Sequence, residues 1–191
     1  MRRVKTLLLL CPILFLACDD EDLLDFLEDP EIDVTTNFVF SFDVASPQLT
    51  DPNERVSFSN IQAIDILSNP QISEEIGEPE RIKKVVINSV TYEFKNFSGN
   101  VDADVRGFLG FPGPDAQDQN FEMQEVNAAE SDLFVYIYTL NGDFTGISAR
   151  VTELTGIGCV YLGSSSHNPI DFTLEVIVNA TVTLELNVED L

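Results

Sequence analysis

From Ile170 to Val188 the chain keeps a strict two-residue alternation. Phe172, Leu174, Val176, Val178, Ala180, Val182, Leu184, Leu186 and Val188 share one parity. Asp171, Thr173, Glu175, Asn179, Thr181, Thr183, Glu185 and Asn187 share the other, with Ile177 as the one apolar residue among them. Successive side chains of a strand point to opposite faces, so this pattern demands a half-buried β-strand and excludes a helix. A slip of one residue would turn every apolar side chain to water, which fixes the register and argues against a bulge. At ~3.3 Å per residue the run spans roughly 60 Å, far beyond the usual five or six residues. Such a strand must coil, bend or serve two sheets in turn. Ile157–Leu162 precedes it across the polar turn Gly163-Ser164-Ser165-Ser166-His167-Asn168-Pro169, so the sequence predicts a long C-terminal β-hairpin.

The rest of the chain supplies partners for that strand. Phe38, Phe40, Phe42 and Val44 alternate with Val39, Ser41 and Asp43 as a half-buried strand does. Val56–Leu67 and Ile82–Phe97 read as further strands, the latter with Val86, Val90, Tyr92 and Phe94 on one parity. Val101-Asp102-Ala103-Asp104-Val105 alternates on toward Phe111, where Pro112-Gly113-Pro114-Asp115 stops it. Phe121–Val126 is a shorter candidate. Leu133–Leu140 is continuously apolar and rich in Val, Ile and Tyr, which predicts a strand covered on both faces. Two helices break the β pattern. Asn69-Pro70 offers an N-cap and first-turn proline ahead of Ile72 and Ile76, with Gly77 as the stop. Ile147, Val151 and Leu154 stand at helical spacing and end at Thr155-Gly156. With 44% hydrophobic residues and 14 Phe in 191, the chain can bury a real core, so wholesale disorder is excluded. The expected fold is mainly β: a single β-sandwich or incomplete barrel with two short helices.

The N-terminus reads as an address. Arg2, Arg3 and Lys5 precede an apolar run from Thr6 to Ala17, of the size and charge pattern of a signal peptide. The run falls short of the roughly 20 apolar residues of a spanning helix. It closes on Leu14-Phe15-Leu16-Ala17-Cys18, which resembles the lipobox of bacterial lipoproteins, although Phe15 stands where an aliphatic residue is usual. That resemblance implies a diacylglycerol on the Cys18 thiol, cleavage before it, and membrane attachment through palmitate-type chains. Two chains at ~0.8 kcal/mol per buried methylene suffice for a stable anchor. Residues 19–33 hold nine acids and no base, a self-repelling tether. Asp19, Asp20, Glu21 and Asp22 resemble the acidic export signal of surface lipoproteins in one large group of Gram-negative bacteria. This implies the outer face of the outer membrane, with a periplasm-facing anchor as the alternative. Residues 34–188, with Ile82–Tyr92 and the long β ending, are similar to many uncharacterised lipoproteins of that group; the likeness is structural and brings no activity. The expected division is a signal peptide at 1–17, lipidated cysteine and tether at 18–33, and a β-rich domain at 34–191.

Chemistry is sparse. Without residues 1–17 the chain carries 33 acids against 7 bases, a net charge of −26. Such a surface repels nucleic acid and anionic lipid, and the cluster Arg81, Lys83, Lys84 is too small to reverse that. His167, the one histidine, lies among three serines without a G-x-S-x-G elbow, in a turn that favours Ser, Asn and Pro for backbone reasons. Cys159 is the one cysteine of the outer domain and reads as a buried small hydrophobe, so no disulfide and no zinc site is expected. For calcium, Asn141-Gly142-Asp143 and Asp115 with Asp118 are candidate loops, neither matching an EF-hand. No catalytic residue, metal or cofactor is assigned. The expected function is a non-catalytic binding or structural module engaging a protein or an extracellular polymer through its loops, those around Pro112-Gly113-Pro114-Asp115 and Ser164-Ser165-Ser166-His167 first. A carrier of an apolar ligand within the β domain is the alternative, and a carboxylate-based hydrolase a distant one.

Overall fold

A computed structural model describes residues 31–76, 81–112 and 119–185. Cys18 and the acids Asp19, Asp20, Glu21 and Asp22 therefore lie outside the described residues, as do Asp115 and Asp118. Among the described residues nine strands form two antiparallel sheets: β1 (Glu31–Ser46), β2 (Val56–Asp65), β3 (Arg81–Gly99), β4 (Asp104–Phe111), β5 (Gln119–Glu122), β6 (Val126–Asn127), β7 (Ile137–Thr139), β8 (Gly156–Ser165) and β9 (Ile170–Glu185). The first sheet runs β1-β9-β3-β7 and the second β2-β8-β4-β5, with β6 also on β4. Their inner faces share one apolar core, across which Phe42 meets Tyr161 and Phe58 meets Phe172 at centroid distances of 6.1 and 6.0 Å. The molecule is a β-sandwich.

β9 is its spine. Every one of its even-numbered residues from Ile170 to Leu184 is buried, and Ile177 falls on the outer parity as the alternation requires. It does not pass between sheets; β1 and β3 flank it along its whole length. The β1 register is unbroken from Glu31↔Glu185 to Ser46↔Ile170. Within the described residues the sheet already includes Glu31, three residues before the boundary expected at Val34. The irregularities fall on β3, at Ile82/Lys84, Ile87/Ser89 and Lys95/Ser98. The second bulge switches parity, so Val85 and Ile87 are buried below it and Val90, Tyr92 and Phe94 above it. Val86 was expected to share the buried parity of Val90; the bulge leaves it exposed instead.

The expected C-terminal hairpin is not one. β8 pairs with β2 and β4 in the second sheet while β9 pairs with β1 and β3 in the first. The turn between them is an arch that crosses the sandwich. Asn168 ties this arch down: it is fully buried, its Nδ2 donates to the Asp51 and Glu54 carbonyls, and its Oδ1 accepts from Leu49 N–H at 2.7 Å. In β8 and β4 the opposed pair Gly107↔Gly163 makes room for aromatic rings. A Cβ on Gly163 would stand 2.2 Å from the Phe58 ring, and one on Gly107 2.9 Å from that of Tyr161.

Edges are closed by side chains. Ser41 N–H of β1 donates to Gln62 Oε1 at 3.1 Å, and Gln62 Nε2 donates back to the Ser41 carbonyl. One side-chain amide of β2 therefore stands in for a missing strand neighbour. Helices flank the sheet at both sides, one against β1 and two against β3. Among the described residues there are three: α1 (Pro70–Ile76), α2 (Ala128–Phe134) and α3 (Thr145–Leu154), against the two expected. From α3, Ser148 and Thr152 hydroxyls accept from Ile87 and Val85 N–H of β3. From α2, the Asp132 carboxylate accepts from Asn96 and Phe97 N–H.

Leu133–Leu140 departs most from expectation. The continuous apolar run predicted a strand covered on both faces; it is the end of α2, one left-handed residue and the three-residue edge strand β7. The helix is started by Asn127, whose Oδ1 accepts from Glu130 N–H, ahead of two alanines. A short apolar run without periodicity is equally compatible with helix or strand, and the cap upstream decides.

Candidate functional site

His167, Asp143 and Cys159, the sequence candidates among the described residues, each sit in local structure that holds them in place. His167 is half-buried, and its Nδ1 lies 2.8 Å from Ser166 Oγ, which itself accepts from Asp104 N–H. Among the described residues no carboxylate bonds the ring, so serine and histidine sit side by side without the third group that would orient a nucleophile. Asp143 accepts from both the N–H and the hydroxyl of Thr145, the first residue of α3, and these bonds hold its carboxyl below the usual value. No group of three or more metal-ligating side chains occurs among the described residues. Cys159 is fully buried, and desolvation pushes its thiol up to about 12, far from a reactive thiolate. Lys83 lies 3.4 Å from Glu31 and 3.3 Å from Glu185, where two acids face each other across the ladder.

The surface that stands out is the one whose structure the sequence misjudged. Leu133, Phe134, Val135, Tyr136 and Ile137 are consecutive and all between 45% and 74% exposed. Val135 has φ 54° and ψ 51°, a left-handed conformation that is unfavourable for a β-branched residue. The run is nevertheless firmly held. Tyr136 N–H donates to the Ser131 carbonyl at 3.0 Å, and Ser131 Oγ lies 2.7 Å from the Tyr138 hydroxyl. Asp132 bolts the same helix to β3. A rigid apolar promontory in a strongly acidic protein is thus fixed at both ends.

A file of aromatic rings leads inward from it. Phe134 and Tyr136 stack at 5.7 Å and 28°, Tyr136 meets Tyr138 at 6.4 Å and 76°, and Tyr138 stacks on Tyr92 at 5.2 Å and 20°. Tyr138 and Tyr92 form one wall of an open cleft of about 420 Å³ between the β7 edge and the β5–β6 connection. Glu122, Met123, Gln124, Glu125, Thr139 and Asn141 complete it. The Tyr92 hydroxyl accepts from Gln124 N–H at 2.9 Å, and burial pushes its pKa up, so it keeps its proton. A larger depression of about 590 Å³ lies outside the second sheet around Arg106, Phe108 and Leu162. It has no stacked ring pair, and Arg106 Nε is turned to Ser164 Oγ.

No family model and no curated protein matches the chain. Among solved structures it is similar to the decameric BFDV capsid protein, at 8% identity and a TM-score of 0.41, over 80% of this chain and 99% of that one. A 60-mer BFDV capsid protein follows at 9% and 0.40, over 83% and 96%. Desmodium yellow mottle tymovirus follows at 12% and 0.31, over 81% and 90%. Likeness of that degree says nothing about what this chain binds.

Two signals for the site were present in the sequence. Asn127-Ala128-Ala129-Glu130 is a helix start, which makes the following apolar run a helix end. Tyr136 and Tyr138, two apart, then place neighbouring rings where a chain emerges from a helix. The partnership with Tyr92 and Glu122–Glu125 is tertiary and carries no local signal. The loops expected to carry recognition fare differently: Ser164–His167 is tied into the arch, and most of Pro112–Asp115 lies outside the described residues.

Proposed function

We propose that this chain is a lipid-anchored lipoprotein of the outer membrane, displayed at the cell surface through Cys18 and Asp19–Asp22, whose β-sandwich is a non-catalytic binding module. The exposed run Leu133–Ile137 carries the binding part of this reading. Contiguous exposed apolar surface is costly in a free protein and characteristic of interaction sites. Backbone strain at Val135 points the same way, because left-handed non-glycine residues persist where the surroundings impose them, often at binding sites. Anchors on both sides pre-organise the run, which reduces the entropy lost on binding.

The test is photo-crosslinking in intact cells. A photoreactive side chain in place of Phe134, in the full-length protein, should give a discrete protein or glycan adduct, while the same group at Ser57 should not. The Cys18→Ser chain should take up no labelled fatty acid and give no adduct at the cell surface. Equal labelling at the two positions, or none at Phe134, would remove the support for a binding module; fatty-acid uptake by the Cys18→Ser chain would remove the lipid anchor.

A further inference from the structure

We infer that the free edge of β7, with the exposed run before it, binds an extended basic segment of another protein as an added strand. This rests on the binding-module reading and names its partner. The main chain carries the argument. β7 ends the first sheet, beyond β3. Leu140 N–H donates to the Val90 carbonyl, and the register pairs Tyr138 with Tyr92. Hydrogen bonds alternate along an antiparallel pair, so Tyr138 and Leu140 turn their main-chain groups to β3 while Ile137 and Thr139 turn theirs outward. Both of these residues are exposed, and among the described residues nothing pairs with the outward groups. The opposite edge is treated differently. There Gln62 bonds both the N–H and the carbonyl of Ser41, and Asn60 Nδ2 donates to the Asp43 carbonyl. An open edge is a template for a further strand, and β7 keeps one.

The surroundings of the edge suit a strand. It opens on the cleft of about 420 Å³, whose far wall is the β5–β6 connection. The lining is mostly polar, which fits the main chain of an extended segment better than an apolar side chain. Apolar contact lies just outside. Leu133, Phe134 and Tyr136 stand exposed immediately before β7, and Ile137 continues them onto the strand itself. A segment lying along Ile137–Thr139 and on past the end of α2 meets main-chain partners and then apolar side chains. In strand addition the main-chain bonds give affinity and the flanking side chains give specificity.

Charge decides the kind of strand. Residues 119–144, which supply the edge, the run and the far wall, hold Glu122, Glu125, Glu130, Asp132 and Asp143 and no base. Glu122 and Glu125 line the cleft itself. A second copy meeting this edge would bring the same carboxylates against these, and an acidic segment would do likewise. A segment that alternates basic with apolar residues is drawn in and satisfies both the acids and the exposed run.

Full-length protein in a neutral detergent would be titrated with dye-labelled decapeptides. One alternates lysine and valine, one alternates glutamate and valine, and one is the lysine peptide N-methylated along its main chain. Fluorescence anisotropy reads binding, and amide hydrogen exchange reads its place. The lysine peptide should bind at least about tenfold tighter than either of the others and slow exchange at the Ile137 and Thr139 N–H groups. Phe134→Ala and Glu125→Lys should each weaken it about fivefold, with melting temperature unchanged. The N-methylated peptide keeps the charge and loses the main-chain donors, so equal binding by it would overturn the added strand. Equal binding by the glutamate peptide would overturn the basic partner, and a dimer of this chain that dissociates on Phe134→Ala would put a second copy in its place. Absence of binding by the lysine peptide at millimolar concentration would overturn the proposal outright. If a photoreactive group at Phe134 then still gives a discrete adduct in cells, the binding-module reading stands with another ligand. If it gives none, that reading falls as well.

Discussion

The strand β9 and the segment 133–140 both carry many large apolar residues, and the fold treats them in opposite ways. β9 places Phe172, Leu174, Val176, Val178, Ala180, Val182 and Leu184 at 1% exposure or less, between two strands of the same sheet. The 133–137 run leaves five apolar residues in water. Both are rich in large apolar residues, but only β9 has a period. Alternation gives a segment one face to bury and one to leave wet, and a sheet can satisfy both at once. A run with no period has no such solution. It is buried all round or exposed for a reason, and the helix cap at Asn127 removes the first option here.

The largest effect should separate these two regions directly. Phe172 lies against both Phe94 and Phe58 at the centre of the sandwich. Phe172→Ala should cost about 3–5 kcal/mol, the lost transfer energy plus a cavity the rigid sheets cannot close. Phe134→Ala, the same substitution on the exposed run, should stay within about 0.5 kcal/mol. Urea denaturation of both variants checks this; comparable losses would mean that the 133–137 run belongs to the core.

How much was readable follows from the same contrast. β9, β1 and β8 were legible because burial of one face imposes a period on the residues themselves. The partners of β8 were not, since a polar turn such as 163–169 specifies only that the chain reverses. Whether it returns in the same sheet or arches to the other is decided by Asn168 bonding to Leu49, Asp51 and Glu54, more than a hundred residues away. On β3 the sequence signalled a strand but not its bulges, which moved Val86 to the surface. The cleft was the least legible part. Its members come from β3, β7 and the β5–β6 connection, and no spacing along the chain links Tyr92 to Glu125.

A second comparison lies within β9, between its buried face and its outer one. Outward, Glu175 stands directly opposite Glu93, and Lys95 bridges them at 2.7 and 2.6 Å. Lys95→Met leaves two carboxylates facing each other and should cost about 1–1.5 kcal/mol, discounted because Lys95 is 38% exposed. Hydrogen bonds to Glu175 and then Glu93 raise the Lys95 pKa in the folded protein. A raised lysine pKa contributes stability that is complete below the unfolded value near ~10.4 and is lost as pH rises through the folded one. The difference between parent and variant should therefore be flat through neutral pH and shrink in the alkaline range. A difference that instead grew with pH would place the contribution elsewhere than in this lysine.

The smallest effect sharpens the comparison furthest, because stability and binding should move in opposite directions. Val135 occupies the left-handed region at the end of α2, where the chain turns out of the helix toward Tyr136. An L-residue pays ~1–2 kcal/mol for that conformation and a β-branched one has no way to relieve it, whereas asparagine enters it readily. Its N–H already bonds the Asp132 and Ser131 carbonyls, so the backbone has no need of the valine side chain to hold the turn. Val135→Asn should therefore stabilise the domain, by roughly 0.5–1 kcal/mol and a melting temperature a few degrees higher. If the run were an incidental fault in packing, nothing else would change. If it is the binding surface, the same substitution puts a polar amide in the middle of it, and adducts from a photoreactive group at Phe134 should decline although the protein is more stable. Gain of stability with loss of binding is the signature of strain retained at a working surface. Gain of stability with crosslinking unchanged would reduce Val135 to a helix ending and leave Phe134 and Tyr136 as the recognition elements.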